Sequence, residues 1–194
     1  MATPRLNGGI ELICGGMFSG KTEEVIRQVQ RGYWSGQNVQ IFRATSVPLV
    51  VPQSNTLLSH GGSEIQAMYI SRSDQILPML SSTTDIVAID ELQFLDWGVV
   101  DVCQHLADHG VRVIASGLDM SFRGEPFGPV PLLMSIADQV RKLRAVCTVC
   151  GNPAGRSQRL LRGRFASYND PVILPGAHLY QPRCRYCHRV PGRD

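Results

Sequence analysis

The segment Gly15-Gly16-Met17-Phe18-Ser19-Gly20-Lys21-Thr22 has the spacing G-x-x-x-x-G-K-[ST], which suits a loop that grips phosphate. Glycines let successive backbone N–H groups converge on an anion, and a following helix turns its positive end toward it. Lys21 would reach the β- and γ-phosphates of a bound nucleotide, and the Thr22 hydroxyl would ligate Mg²⁺. A second element lies at Ile86-Val87-Ala88-Ile89-Asp90-Glu91, an apolar run ending in two acids. A buried strand that delivers carboxylates at its C-terminal end puts them where open α/β sheets bind ligands. Asp90 is the candidate to hold Mg²⁺ directly or through water. Glu91 is then free to take a proton from an attacking hydroxyl, or to activate water in a hydrolase. The bland readings are an accidental Gly-rich turn at 15–22 and a simple turn opening before Asp96. The two elements together argue for phosphoryl transfer, because that chemistry needs both.

Cys147-Thr148-Val149-Cys150 and Cys184-Arg185-Tyr186-Cys187 form two C-x-x-C pairs separated by 33 residues. Each pair suits a thiolate knuckle, and two knuckles make a tetrahedral Cys₄ zinc site. Four thiolates leave no open position, so such a zinc is structural. His188 stands beside Cys187 and is the alternative ligand; the equal x₂ spacing favours Cys187. A redox dithiol is the competing reading. Cys14 and Cys103 fall in apolar patterns and read as core residues.

Short apolar runs alternate with helical patterns ahead of these cysteines, which predicts an α/β fold with a mostly parallel sheet flanked by helices. Ile10–Cys14 reads as the strand before the phosphate loop, and Thr22–Tyr33 as the helix after it. Val25, Ile26, Val29 and Tyr33 lie on one face of that helix. Val39–Phe42, Ile65–Ile70, Asp85–Asp90 and Val111–Ala115 read as strands, Trp97–His109 as a helix closed by Gly110, and Gln139–Val146 as carrying the last core strand. Residues 44–64 read as a long loop rich in Pro, Ser and Gly, of a length often tied to function. Near Cys147 the chain turns to Cys, Gly, Pro and Arg. That places a boundary between a nucleotide-binding core, residues 1–146, and a small zinc-ribbon-like lobe, residues 147–194.

The chain has 194 residues, 43% hydrophobic and 18% charged, a globular composition with room for one sizeable core and an appendage. Its net charge is +3, but from Arg141 onward ten Arg and one Lys face only Asp170 and Asp194. A basic end suits phosphates, of a nucleotide or of a nucleic acid, unless it is merely a solvated face. Met1–Gly8 lacks the apolar stretch of a signal peptide, and no run approaches the length of a membrane span. A cytoplasmic protein with reduced thiols and no membrane partner is expected.

In order along the chain, these blocks resemble the thymidine kinase family of the small P-loop, zinc-containing type, from Gly9 to His188. Gly16 to Glu24 is similar to that family's phosphate loop, and Asp90-Glu91-Leu92-Gln93-Phe94 to its D-E-x-Q-F block. Leu118 to Gly128 resembles its nucleoside-side loop. Val140 to Cys147 resembles the strand leading into its zinc lobe, and Tyr180 to His188 its C-terminal signature. The resemblance implies transfer of the ATP γ-phosphate to the 5′-hydroxyl of thymidine, with Mg²⁺ and a structural Zn²⁺. By that resemblance Glu91 takes the proton, and Gln93 and Asp90 belong to the nucleotide and metal site. Met17, Phe94, Leu118, Phe122 and Phe127 surround the base. A lasso over roughly residues 157–180, with Ser157, Ile173 and Tyr180, closes over the nucleoside. The family further suggests a homotetramer and no nucleic-acid partner. Departures stand at His178, at Pro175, in Ala44-Thr45-Ser46-Val47-Pro48, and in Ser59-His60-Gly61-Gly62. None of them touches Lys21, Thr22, Asp90 or Glu91.

The rival from another class is a nucleic-acid-binding P-loop ATPase with a zinc ribbon, which the basic end would fit. Against it, the core ends near residue 146, leaving little room for a second motor lobe, and Phe165, Tyr168, Tyr180 and Tyr186 follow no RNA-binding pattern. A non-enzymatic nucleotide-binding scaffold is a third reading, opposed by intact Lys21, Thr22, Asp90 and Glu91.

Overall fold

The computed structural model describes residues 8–45, 56–58 and 64–193. Most of the expected 44–64 loop lies outside the described residues. Strand β1 (Gly9–Gly15) runs into the phosphate loop and helix α1 (Lys21–Trp34). There follow β2 (Val39–Ala44), β3 (Thr56–Leu58), β4 (Glu64–Gln66), β5 (Met68–Ile70), β6 (Ile86–Asp90), α2 (Gly98–Asp108), β7 (Arg112–Gly117), α3 (Val130–Ile136) and β8 (Gln139–Leu143). Six of these strands form one sheet in the order β5-β2-β6-β7-β1-β8, and every pairing in it is parallel.

Period-two alternation explains the layers. Along β1, Ile10, Leu12 and Cys14 face the helices α2 and α3, where Val99, Val100, Cys103, Leu106, Val130 and Leu133 complete the core. Ile13 points the other way, joining Ile41, Ile86, Ala88 and Ile114 beneath Val25, Ile26 and Val29 of α1. A strand covered on both faces must be apolar throughout, which is why β6 is buried at all five positions. Burying each aliphatic side chain of α1 contributes about 1.5–3 kcal/mol, so the face of α1, more than its propensity, holds it in place.

Helix α1 begins without a side-chain cap, since Gly20 precedes it in the left-handed region. Glu23 and Glu24 in its first turn complement the helix dipole. Glu24 also receives Arg27 at 2.7 Å and pairs with Arg141 of β8. The hydrogen bond from Arg27, with help from Gln28 and Arg141, brings its carboxyl down to about 2.

The rest of the chain carries three small strand pairings. β9 (Ala145–Val146) pairs with β10 (Pro153–Ala154), and β11 (Arg156–Leu161) pairs with β12 (Arg164–Phe165) and β13 (Tyr180–Arg183), all antiparallel. One reading of the sequence needs correction. The expected strand over 65–70 is two: β4 forms a hairpin with β3, while β5 joins β2 in the main sheet. The stretch 139–146 does carry the last core strand, β8, and after Arg144 its end pairs with β10 outside the sheet. Helix α3 was not anticipated, because its seven residues are too short to show a period. No helix among the described residues is long and apolar enough to cross a membrane.

Candidate active site

The phosphate loop takes its shape from backbone that few residues can adopt. Gly15 has φ 142°, and a Cβ there would lie 2.4 Å from the Leu143 carbonyl, so β8 runs too close for any side chain. Phe18 (φ 64°) and Gly20 (φ 85°) turn the chain through the left-handed region into α1. Lys21 arches back over the loop: its ammonium is buried and donates to the Gly16 carbonyl at 2.9 Å. The Ser19 hydroxyl donates to the same oxygen at 2.8 Å. The loop is also tied across the chain, for the Met17 N–H donates to Ser157 Oγ of β11 at 2.9 Å.

Asp90 ends β6 two strands away from β1, with β7 between them. Its carboxylate is 1% exposed, which for an acid demands partners. It has three. Ser116 of β7 donates to Oδ1, Thr22 of α1 donates to Oδ2 at 3.2 Å, and Arg43 of β2 approaches Oδ2 at 3.3 Å. Thr22 and Asp90 thus bring a hydroxyl and a carboxylate oxygen side by side at the helix N-terminus. That donor set is the hard-oxygen kind Mg²⁺ takes.

Glu91 leaves the strand with φ 59° and ψ 34°, a left-handed conformation that costs a residue with a Cβ about 1–2 kcal/mol. Gln93 donates to Glu91 Oε2 at 2.5 Å, and Arg43 Nη2 lies 3.6 Å from Oε1. Burial pushes the Glu91 carboxyl above its ordinary value, and the neighbouring Asp90 charge adds to this. Lys21, Arg43 and the Gln93 bond oppose it. A carboxyl raised in this way stands closer to the working range of a general base.

A cavity of about 540 Å³ opens over these groups. Met17, Phe18, Ser19, Gly20, Lys21 and Thr22 form its phosphate-loop side, with Glu91 at the end of β6. Phe94, Leu118, Phe122 and Phe127 make an apolar wall, and Ser157, Ile173 and Tyr180 line the side of the C-terminal segment. Phe94 and Phe127 meet edge to face, 6.2 Å between ring centres at 89°. Of the other residues the sequence singles out, Gly15 and Gly16 form the loop's root, and Asp90 lies beneath Thr22. Gln93 is buried behind Glu91, where its Oε1 accepts the Leu118 N–H at 2.9 Å. Sequence reasoning missed Arg43, Tyr69 and Met120, which line the cavity, whereas the lining run from Val172 to Ala177 falls within the expected lasso, of which only Ile173 and Pro175 are singled out by the sequence. No local pattern could have marked Arg43, which reads as one more residue of a strand.

The expected lasso is held down near its start. Arg159 is fully buried, stacks its guanidinium 3.6 Å from the Phe122 ring centre, and donates to the Pro171 carbonyl at 2.5 Å. Tyr168 donates to Glu125 at 2.8 Å, and the Arg123 guanidinium lies 4.6 Å over the Tyr168 ring. At the other end the Tyr180 hydroxyl donates to the Leu174 carbonyl at 3.0 Å.

The sulfurs of Cys147, Cys150, Cys184 and Cys187 all lie within 4.8 Å of one another, and those of Cys150 and Cys184 are 3.6 Å apart. A tetrahedral zinc with Zn–S of about 2.3 Å sets its sulfurs roughly 3.8 Å apart, so the cluster fits a metal of that size. His188 does not join it: its Nε2 is 2.8 Å from the Phe122 carbonyl. Cys14 and Cys103 are buried, which pushes their thiols up to about 11 and about 12, as suits inert core residues.

A family model described as thymidine kinase matches residues 8–188. Among solved structures, the chain is similar to domain III of the Thermotoga maritima replication initiation protein DnaA. That likeness has 16% identity and a TM-score of 0.40, and covers 70% of this chain and 55% of that one.

Proposed function

The chain belongs to the thymidine kinase family, and from that premise we propose that it transfers the γ-phosphate of ATP to the 5′-hydroxyl of thymidine. One observation carries the reading: a phosphate loop and a carboxylate of raised pKa face the same cavity, one wall of which is built from Phe94, Leu118, Phe122 and Phe127. The loop and Lys21 hold the polyphosphate. The pyrimidine lies against Phe94, Phe122 and Phe127, since a planar base needs apolar faces with a few polar contacts at its edge. Glu91 accepts the 5′-hydroxyl proton as the oxygen attacks the γ-phosphorus, and ADP departs from the loop. Thr22 and Asp90 would hold Mg²⁺, which would supply positive charge beside the transferring phosphate. The C-terminal segment closes the cavity and keeps water from competing with the sugar.

The four clustered cysteines fit a structural Zn²⁺, which pins the ends of residues 147–194 together. The division into a nucleotide-binding core over 1–146 and a zinc and nucleoside lobe over 147–194 goes with this reading. So do a homotetrameric assembly and a cytoplasmic setting.

The test is release of ADP from Mg²⁺–ATP with each nucleoside in turn, alongside Glu91→Gln. Turnover with thymidine, weak with other nucleosides and lost in the variant, is expected. ADP release that ignores nucleosides and rises with DNA or RNA would favour a nucleic-acid-stimulated ATPase instead.

A further inference from the structure

Among the described residues, Lys21 and Arg43 are the two cations that line the cavity. Lys21 is committed to the phosphate loop, where it spans to the Gly16 carbonyl. Arg43 stands elsewhere. The register of β2 on β6 sets it directly opposite Asp90, and its guanidinium reaches Asp90 Oδ2 at 3.3 Å and Glu91 Oε1 at 3.6 Å. It therefore bridges the residue that would hold the metal and the residue that would take the acceptor's proton. In an in-line displacement, the phosphoryl group in transit passes between those two points.

Each carboxylate has a partner besides Arg43. Asp90 has Ser116 and Thr22, and Glu91 has Gln93. The Arg43 contacts are also loose for a structural ion pair, since neither is a short parallel fork and its side chain is 26% exposed. Among the described residues only two of the guanidinium's donor positions are engaged, and its fork suits a planar group with three equatorial oxygens.

We propose that Arg43 is a catalytic residue: its forked guanidinium binds the phosphoryl group as that group passes from ATP to the acceptor oxygen. The inference rests on the kinase reading given above. In the step, the bond from the γ-phosphorus to the β,γ-bridging oxygen breaks and that oxygen leaves with ADP. A bond forms from phosphorus to the 5′-oxygen, and the hydroxyl proton goes to Glu91. Arg43 exchanges no atoms. It donates N–H bonds to the equatorial oxygens, where its charge acts more strongly on the spread-out transition state than on bound ATP.

The test uses the full chain, as wild type, Arg43→Met and Arg43→Lys. Steady-state turnover is paired with calorimetric binding of two probes, ADP alone and ADP with aluminium fluoride, both with Mg²⁺ and thymidine present. The second probe mimics the planar phosphoryl group. In Arg43→Met, kcat is expected to fall about 10²–10³-fold with the thymidine KM within about threefold of wild type. Affinity for the aluminium fluoride complex should fall by a similar factor while affinity for ADP is kept. Arg43→Lys should recover only part of either loss. Unchanged kcat in an active enzyme overturns the assignment, and so does an equal loss of affinity for both probes, which marks a structural role. If Arg43→Met does not fold, the ratio of the two affinities in Arg43→Lys decides, and a wild-type ratio overturns the assignment. A wild-type protein that turns over no nucleoside sinks the kinase reading itself, and this inference with it.

Discussion

Replacing Gln93 by Glu tests how the base is held. Gln93 is 3% exposed, and its two amide atoms face different partners. The Leu118 N–H can be met only by an oxygen, so Oε1 points to Leu118 and the NH₂ must point to Glu91. Gly117 makes the site tight, since a Cβ there would lie 2.9 Å from Gln93 Oε1. The Glu side chain has the same shape, so it keeps the bond to Leu118 while presenting an oxygen to Glu91 in place of a donor. A hydrogen bond to a charged group contributes about 1.5–3 kcal/mol. If that energy orients Glu91 in the transition state, its loss lowers kcat by about 10–150-fold, at 1.36 kcal/mol per decade. A second carboxyl also removes a group that lowers the Glu91 pKa and adds one that raises it. Glu91 works deprotonated, so the acid limb of the rate profile should move to higher pH, and part of the loss should return in alkaline buffer. The assay is thymidine-dependent ADP release across pH, with thermal unfolding as the control. A melting shift of no more than about 4 °C, roughly 1 kcal/mol at this size, is expected. A wild-type kcat at pH 7 would refute the reasoning, and so would a loss independent of pH.

In the wild-type enzyme kcat/KM should rise with pH through a pKa above the ordinary 4.5 of a glutamate, because burial and Asp90 raise Glu91. Glu91→Gln should erase that limb and reduce turnover about 10²–10⁴-fold. Cys184→Ser should release bound zinc and lower the melting temperature, whereas His188→Ala should keep the metal, since His188 bonds the Phe122 carbonyl; metal analysis after dialysis distinguishes them. Glu24 has its carboxyl depressed to about 2, so its contribution to stability is present above the ordinary carboxylate range and lost as pH falls through about 2. Glu24→Gln should therefore cost about 1 kcal/mol at pH 7, with the gap from wild type closing in strong acid, as read by chemical denaturation across pH.

What could be read along the chain was whatever depends on near neighbours. The strand, glycine loop and helix at 9–34 are adjacent in sequence, and their order is itself the mechanism of phosphate binding. Asp90 and Glu91 could be found because a buried strand announces itself by continuous apolar residues and its polar end stands out. The cysteine pairs were legible from spacing alone. Contacts set by strand order were not. Nothing local says that β7 lies between β1 and β6, so Ser116 could not be named as the donor to Asp90. Arg43 became visible only when register placed it beside Asp90. Residues 65–70 were read as one strand because a short, mostly apolar run looks alike whether or not the chain changes partners at Ala67.

The pairing of β1 bears on how the protein is made. Its first strand can find neither neighbour early, since Gly9 pairs with Arg112 and Glu11 with Gln139. The phosphate loop then rests on Ser157, later still in the chain. During synthesis β1 must therefore wait, apolar and unpaired, until most of the polypeptide has left the ribosome, while β2 and the later β5 and β6 can already associate. A nascent chain halted before β8 would carry the complete phosphate-binding motif without the strand that braces it. The strand that leads into the phosphate loop thus becomes part of a braced site only once the chain through Ser157 has been made.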